Sequence, residues 1–328
     1  MARPSFTKSL FLSIVAVAAS APLAQAASLT AGELLSQYNL ITTGDVTGNG
    51  GFHVDGRVLV GGDWLAGPST VVYMNGKGAE SGFADAIIAG DVAQPTHVNN
   101  GGDAVAGSGR DNLNMNGGGS KSSYTAASAP TGYGTVLGDY AQTLAGYAET
   151  SANITRQGSI HDPTNTYDVA GVEIGVLSLL ESDIRADRDM NFNLGAGVEW
   201  LVVNVTATAD KIFSLGSAFK AQQSASIASK VIWNFVGFDQ VIFDAQFTAG
   251  AILAQGAEVV TNAGNIEASV FSDSFRGLSE LHYVGLANGE LPGTTTDMTQ
   301  PAPVPLPAGM PLLLLGLGVF GVVARRRA

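Results

Sequence analysis

The segment Val231–Phe235, VIWNF, is followed at intervals of 18 or 19 residues by two further short apolar segments, GAILA at Gly250–Ala254 and SVFS at Ser269–Ser272. A similar interval separates NLIT at Asn39–Thr42 from RVLVG at Arg57–Gly61. In a β-solenoid, one strand recurs per coil and stacks on the strand of the next coil. Gly-Asp and Gly-Asn pairs between the segments provide turn residues for the corners. The spacing therefore predicts an all-β fold, a right-handed parallel β-solenoid.

The alternative fold is a β-sandwich, whose strands recur every 8–12 residues rather than every 18–20. Ile87–Ala89 and Val202–Val205 are further strand candidates that insertions offset from the regular interval. The stretch Asn99–Ser128 is rich in Asn, Gly and Ser, and we expect it to form a long loop or insertion. The solenoid is favoured over the sandwich.

Two helices are expected beside the strands. Thr30 and Glu33 have the spacing of a capping box, which predicts a short helix at the start of the domain. Within Gly134–Asn153, apolar residues recur at helical spacing and predict a flanking helix with one buried face. These residues are Leu137, Tyr140, Ala141, Leu144, Tyr147 and Ala148.

The composition of the chain excludes several classes of protein. Its 328 residues include 16 basic and 28 acidic residues, a net charge of -12, and no cysteine. Nucleic-acid binding requires a basic surface, so a nucleic-acid partner is excluded. Without cysteine there is no disulfide framework, thiol nucleophile or thiolate metal site.

The N-terminus has the features of a secretory signal peptide over residues 1–26. Two basic residues precede the apolar run Leu10–Ala21, and Ala24 and Ala26 form an A-x-A cleavage site for signal peptidase. The apolar run is too short to span a bilayer. We therefore expect the exported chain to begin near Ala27.

The C-terminus predicts a transmembrane helix over residues 306–324, after a linker over residues 288–303 that is rich in Pro, Gly and Thr. The basic residues after this helix should remain on the cytoplasmic side as a membrane stop. The two ends carry 5 of the 16 basic residues and no acidic residue, so the exported part has 11 basic and 28 acidic residues, a net charge of -17. The membrane-stop residues are Arg325, Arg326 and Arg327.

The C-terminal order of motif, apolar span and arginine cluster resembles the VPLPA-type relatives of PEP-CTERM sorting tails in Gram-negative bacteria. The resemblance covers about the last 25 residues. It implies that an exosortase-type membrane peptidase recognises the motif, cuts near it and passes the protein to the cell surface or extracellular matrix. The motif residues are Val304, Pro305, Leu306, Pro307 and Ala308.

Two parts of the body, residues 27–287, resemble the choice-of-anchor A family of bacterial surface proteins. The first part contains Tyr38–Ile41, Gly44-Asp45 and His53–Asp63, and Asn99–Tyr167 has no match. The second part contains VIWNF, followed by GAILAQ at Gly250–Gln255, GNIE at Gly264–Glu267 and ELHY at Glu280–Tyr283. The resemblance implies a surface or matrix role and brings no catalytic residue with it.

No catalytic residue is predicted. Ser217–Lys220 fits the S-x-x-K motif of serine nucleophiles, but the companion motifs S-D-N and K-T-G are absent from the sequence. The histidines His53, His97, His161 and His282 lack the spacing of a zinc motif. No cofactor is expected either.

The one candidate for a metal is calcium, in an oxygen-rich stretch that begins like an EF-hand loop. The stretch has Phe192 where that loop needs Gly and Val198 where it needs Glu, so only a calcium site of another type remains. Its candidate ligands are Asp183, Asp187, Asp189, Asn191 and Asn193.

The sequence therefore predicts an exported, non-enzymatic surface or matrix protein that serves adhesion or biofilm assembly, with matrix polysaccharide or surface components as partners. The alternative is an extracellular enzyme that acts on polysaccharides, which a groove with two carboxylates about 5–10 Å apart would favour. Ice binding and calcium-dependent adhesion are minor alternatives. A carbohydrate-stacking face built from Trp64, Trp200 and Trp233 is also conceivable, although Trp200 and Trp233 lie in apolar strands and are expected in the core.

Overall fold

The structure is a computed structural model that describes residues 28–48, 50–157, 165–184, 190–215, 224–287 and 291–292. The first part of the chain contains α1 (Ala31–Gln37), β1 (Tyr38–Thr42), β2 (Val46–Gly48), β3 (Arg57–Val60), β4 (Trp64–Ala66), β5 (Thr70–Val72), β6 (Ala86–Asp91), β7 (Thr96–Val98), β8 (Ala104–Ser108), β9 (Leu113–Met115) and β10 (Lys121–Ser123). The second part contains α2 (Tyr133–Ala145), β11 (Ile154–Gln157), β12 (Thr166–Val169), β13 (Ile174–Leu180), β14 (Asn191–Leu194), β15 (Trp200–Thr206), β16 (Ile212–Leu215), α3 (Ala225–Ala228), β17 (Val231–Val236), β18 (Gln240–Phe243), β19 (Phe247–Thr261), β20 (Ile266–Gly277) and β21 (Leu281–His282).

The strands form a parallel β-solenoid, as the spacing predicts. Apart from the antiparallel pair β11 and β12, the strand pairs of the described residues are parallel. The β-sandwich alternative is wrong, because its sheets are antiparallel. One sheet has the strand order β10-β8-β6-β3-β1-β20-β19-β17-β15-β13, and we call it the helix-covered face. A second set, β4-β2-β20-β19-β18-β16, forms the outer face.

A third face contains β5, β7 and β9, together with β21 and the first residues of β19 and β20. The long strands β19 and β20 take part in all three faces. Their register shifts between Thr248 and Ala251 and again between Ala254 and Glu258, where the chain turns from one face to the next. Such bulges bend a strand without ending it.

The coils do not stack in the order of the sequence. β1 pairs on one side with β3 and on the other side with β20, where Leu40 lies opposite Val270. The N-terminal coils therefore extend in one direction from β1, and the C-terminal coils extend in the other direction from β20. The two parts of the sequence that carry the strand spacing meet in the middle of the sheet.

The stretch Asn99–Ser128 is not a long loop, contrary to the sequence analysis. It contains β8, β9 and β10, which add further parallel strands to two of the faces. Its inward residues Ala104 and Ala106 are small, and they are buried against the preceding coil. Strand prediction relies on a pattern of large apolar residues, and two alanines contribute little to such a pattern. The many Gly and Asn residues around them favour the prediction of a loop instead.

Alternation along the strands of the helix-covered face produces two apolar cores. On β17, Trp233 and Phe235 point into the solenoid, whereas Ile232 points out toward the helices. On β3, Val58 and Val60 point in and Leu59 points out. Successive strand residues face opposite sides, so a sheet with apolar residues on both sides must be covered on both sides.

Helices α1 and α2 cover the outward side of this sheet, and both confirm the sequence analysis. Thr30 and Glu33 form the predicted capping box, with the Glu33 N–H donating to Thr30 Oγ1 at 3.2 Å. The apolar core between this sheet and the two helices is called the helix-side core here. Leu137 and Leu144 of α2 are fully buried in it. Leu291 is also buried in this core, at 2% exposure, so contact with the domain continues into the residues expected to form the linker.

Aspartates stack at the corner between the helix-covered face and the outer face. Asp45 Oδ1 accepts the Asp63 N–H at 2.7 Å, and Asp63 Oδ1 accepts the Asp91 N–H at 2.7 Å. A Cβ on Gly90 would lie 2.7 Å from the Gly62 carbonyl oxygen of the neighbouring coil. The Gly-Asp pairs of the sequence are therefore corner residues, as expected, in which glycine permits close stacking and aspartate binds the next coil.

Candidate binding face

The outer face is an exposed and regular surface of six parallel strands. Phe213, Val241, Val259, Phe275, Val46 and Trp64 form a continuous inward row beneath it, and each is at most 1% exposed. The next residue of every strand lies on the outer side, where five of the six are exposed or half-buried and Val260 is 1% exposed. We call these residues the outer row: Ser214, Ile242, Val260, Arg276, Thr47 and Leu65.

The outer row is straight because the register is unbroken between its six strands. Neighbouring strands lie about 4.8 Å apart, so the row extends over about 24 Å. Aromatic rings support its C-terminal end from inside: Phe213 and Phe235 have ring centroids 5.0 Å apart, and those of Phe243 and Phe247 are 4.8 Å apart. A surface supported by a close-packed interior keeps its shape when it meets a partner.

Polar contacts link the strands across this face. Glu258 accepts hydrogen bonds from Gln240 Nε2 at 2.5 Å and from the guanidinium of Arg276 at 3.4 Å. Arg276 Nε is buried and has no hydrogen-bond partner among the described residues. An unsatisfied buried donor costs free energy unless water or a ligand approaches it. The Arg276 side chain as a whole is 42% exposed, so other N–H groups of its guanidinium, rather than the buried Nε, can donate to an approaching molecule.

The outer face also exposes apolar side chains. Leu65 in β4 is 40% exposed, Ile212 in β16 is 46% exposed, and Leu278, just after β20, is 42% exposed. The fourth large apolar side chain exposed in the described part of the chain, Leu180, lies at the end of β13, a strand of the helix-covered face. Leu65 and Ile212 lie on the two outermost strands of the outer face, so exposed apolar groups stand at both of its ends.

The other two faces differ from the outer face. α1 and α2 occupy the helix-covered face. On the third face, Glu280 bridges His53 and His282, with Oε1 3.1 Å from His53 Nδ1 and Oε2 2.9 Å from His282 Nε2. The hydrogen bond from His282, and then that from His53, holds the pKa of Glu280 below its ordinary value. No local sequence pattern links these residues, because they meet only through the pairing of distant coils.

A groove lies beside the start of α2 and is lined by one carboxylate, that of Asp139. The geometry that would favour a polysaccharide-acting enzyme, a pair of carboxylates in a groove, is not found in this groove. The S-x-x-K residues Ser217–Lys220 and His161 lie outside the described residues. His97 lies on the third face, with Nδ1 3.2 Å from Asn116 Nδ2.

The calcium candidates are only partly described. Asp183 Oδ2 accepts the Leu180 N–H at 2.9 Å and so caps a short 3₁₀ turn, and Asn191 begins β14. Asp187 and Asp189 lie outside the described residues. Within the ranges that the structure describes, no three His, Asp or Glu side chains are arranged to hold a metal ion.

A carbohydrate-stacking face of tryptophans is excluded by burial. Trp64 and Trp233 are 0% exposed and Trp200 is 3% exposed, so all three belong to the cores. The expectation that Trp200 and Trp233 are core residues is confirmed.

The signal peptide with Ala24 and Ala26, the sorting motif Val304–Ala308, the span 306–324 and the arginines Arg325–Arg327 lie outside the described residues. None of the helices in the described residues is long and apolar enough to cross a membrane.

Residues 31–283 match the model of a protein family described as "Putative Ice-binding-like adhesive domain". The chain is also similar to two solved structures. One is an ice binding protein from an Antarctic biological consortium, with a TM-score of 0.33 and 9% identity over 76% of this chain and 86% of that chain. The other is the DUF3494 domain of Shewanella frigidimarina ice-binding protein 1, with a TM-score of 0.31 and 17% identity over 80% of this chain and 99% of that chain. Among curated proteins, no sequence matches that of this chain.

Proposed function

Because the chain belongs to the family of ice-binding-like adhesive domains, we propose that it is an adhesive module that attaches to its target through the outer face. One observation carries the proposal: the outer row places six residues in unbroken register on a rigid support, and five of them, all but Val260, are exposed or half-buried. A regular row of this kind makes many weak contacts at once, which suits attachment to an extended surface better than binding of a small molecule.

The chemistry of the outer row favours an amphipathic target. Leu65 and Ile242 supply apolar contact, Ser214 and Thr47 supply hydroxyl groups, and the partly exposed guanidinium of Arg276 supplies N–H donors. The target that we propose is another surface of the cell envelope or the extracellular matrix, which offers apolar and hydrogen-bonding groups together. Attachment of this kind needs no catalytic step, so we propose a non-enzymatic role.

We further propose that the domain is exported and sorted to the cell surface. The A-x-A site, the polar linker and the VPLPAG–span–RRR order support this proposal. Signal peptidase and an exosortase-type membrane peptidase would then be the processing partners. The domain would remain transiently anchored by the C-terminal helix until the tail is cut.

Ice binding is less well supported than general adhesion. Ice-binding solenoids present ranks of small residues and threonine. The outer row instead contains one threonine, Thr47, one arginine and three branched apolar residues, Ile242, Val260 and Leu65. A charged and uneven row does not match the repeating oxygen spacing of an ice lattice.

The test replaces the exposed apolar side chains at both ends of the outer face. In cells that display the full chain, we expect Leu65→Asp combined with Ile212→Asp to reduce attachment to abiotic surfaces and to other cells by about tenfold or more, because both changes place unpaired carboxylates in the contact. Crystal violet staining and cell-aggregation assays measure the effect.

Leu180→Asp is the matched control, since Leu180 is 51% exposed but lies outside the outer face. It should leave attachment within about twofold of the unchanged chain, because the change does not enter the contact. Equal attachment by the double variant and by the unchanged chain, at equal surface amounts, would show that the outer face is not the adhesive surface.

A further inference from the structure

The groove beside α2 lies at the corner between the helix-covered face and the outer face, and we call it the corner groove. It has a volume of about 670 Å³ and is open to solvent. Thr43, which follows β1, and Gln255, at the bend of β19, form one wall. The segment from Tyr124 to Thr135 and Asp139 of α2 form the other. Its volume lies within the range of about 300–1,000 Å³ that is usual for ligand clefts.

Two tyrosine rings line the corner groove and are held in place. The Tyr124 N–H donates to the carbonyl of Ala106 at 2.8 Å, which fixes its backbone to β8, and its ring is half-buried. The Tyr133 hydroxyl donates to the carbonyl of Thr42 at 3.0 Å. Burial raises the pKa of Tyr133 to about 12, so the hydroxyl remains a donor at neutral pH. Both rings therefore offer rigid aromatic surface at little entropic cost.

The polar groups of the corner groove are almost all neutral. Thr43, Thr135 and Gln255 have exposed side chains that can exchange hydrogen bonds with a ligand. Thr43 Oγ1 donates to Asp273 Oδ1 at 2.6 Å, which leaves its oxygen free to accept a further hydrogen bond. Asp139 is the one charged group in the lining, and no lysine, arginine or histidine is present there.

We propose that the corner groove binds a segment of neutral polysaccharide. A sugar ring has an apolar face that packs on tyrosine, and its hydroxyls pair with threonine, glutamine and carboxylate groups. Because the groove is open to solvent, a bound sugar segment can continue beyond it as part of a longer polymer. Asp139 in the lining and the charge of -17 on the exported part both repel anionic polymers, and the lining has no basic residue that would attract them.

The test measures binding of soluble probes to the purified full chain by isothermal titration calorimetry. Maltohexaose, cellohexaose and xylohexaose serve as neutral probes, and alginate serves as the anionic probe. We expect at least one neutral hexasaccharide to bind and alginate not to bind. Tyr124→Ala should weaken the binding of the neutral probe by about tenfold or more, whereas Tyr124→Phe, which keeps the ring, should remain within about twofold.

Tyr147→Ala is the matched control, because Tyr147 is also half-buried and packs on the same helix-side core but does not line the corner groove. It should not change the affinity. The proposal is overturned if none of the neutral probes binds, if Tyr124→Ala binds as tightly as the unchanged chain, or if alginate binds as tightly as the best neutral probe. Each of these results leaves the proposal for the outer face unaffected, because the outer row takes no part in the groove.

Discussion

Two buried asparagines attach α2 to the sheet. Asn234 lies opposite Asn204 on the neighbouring strand, and its Nδ2 donates to Asn204 Oδ1 at 2.8 Å and to the carbonyl of Ala141 at 2.9 Å. Asn204 Nδ2 donates in turn to the carbonyl of Leu144 at 2.8 Å. Hydrogen bonds within an apolar layer are directional, so these three bonds select one position of α2 among the several that apolar packing alone would allow.

Asn234→Asp keeps the size of the side chain and removes its donor. The introduced carboxylate would face two acceptors, the Ala141 carbonyl and Asn204 Oδ1, at a site that is 1% exposed. We expect the free energy of unfolding to fall by about 3 kcal/mol or more at pH 8. Burial raises the pKa of the new carboxyl, so the loss should shrink as the pH falls and the group gains a proton. Urea unfolding at pH 8 and pH 5 measures both effects, and an equal loss at the two pH values would contradict this reading.

Some individual residues could be assigned from the sequence and others could not. The Thr30–Glu33 capping box and the burial of Trp200 and Trp233 depend on local spacing, and the structure confirms them. The contact between Glu258 and Arg276 and the bridge between His53 and His282 depend on which coils are neighbours. Such contacts require the register of the whole sheet, which local patterns do not contain.

At the scale of elements, the corners as well as the strands hold neighbouring coils together. The other corner of the N-terminal coils has its own aspartates: Asp85 Oδ2 accepts the Asp103 N–H at 2.9 Å, and Asp103 Oδ1 accepts the Ser120 N–H at 2.7 Å. The bond from the backbone of Ser120, together with that from its hydroxyl, lowers the pKa of Asp103. The corners thus contribute hydrogen bonds between coils where no sheet pairing is available.

Gly90→Ala tests the close stacking of the corners. The new Cβ would lie 2.7 Å from the Gly62 carbonyl oxygen, a backbone atom that cannot move without opening the corner. We expect the free energy of unfolding to fall by about 1–3 kcal/mol, the usual range for overpacking. Gly82→Ala is the control, because nothing lies within 4 Å of its Cβ position. Thermal unfolding of both variants measures the difference, and similar melting temperatures would exclude close stacking as the reason for glycine at this corner.

The elements show where sequence patterns are sufficient. The spacing of VIWNF, GAILA and SVFS corresponds to β17, β19 and β20, and the apolar stripe of residues 137–148 corresponds to α2 with its final turn beyond the helix. The coils that contain β8 and β10 were expected to be a loop, because Ala104, Ala106 and the serines of β10 form strands without an apolar pattern. Their strand conformation results from pairing with the coil before them rather than from their own propensity.

At the scale of the whole molecule, the N-terminal and C-terminal coils form one sheet through β1 and β20. The topology was not predictable from spacing, because the interval between strands is the same whether the coils stack in sequence order or meet in the middle. α2 lies across the junction and contacts α1 and β19 as well as β15 and β17. The absence of cysteine means that stacking, helix packing and hydrogen bonds hold these parts together.

The outer face depends on this assembly, because its six strands come from both the N-terminal and the C-terminal coils. β2 and β4 belong to the N-terminal coils, whereas β16, β18, β19 and β20 belong to the C-terminal coils. A continuous outer row exists only when β2 pairs with β20. The adhesive surface that we propose is therefore a property of the complete fold rather than of one segment.

Site-specific labelling of the attached protein tests this central claim most directly. The chain contains no cysteine, so Ser214→Cys in the outer row and Ser178→Cys on β13 each give a single position for an environment-sensitive fluorophore. Both serines are exposed. When the labelled full chain attaches to cells or matrix, we expect the emission at position 214 to shift to the blue and to become protected from iodide quenching, while the emission at position 178 stays unchanged. Protection at position 178 with none at position 214 would contradict the claim that the outer face makes the contact.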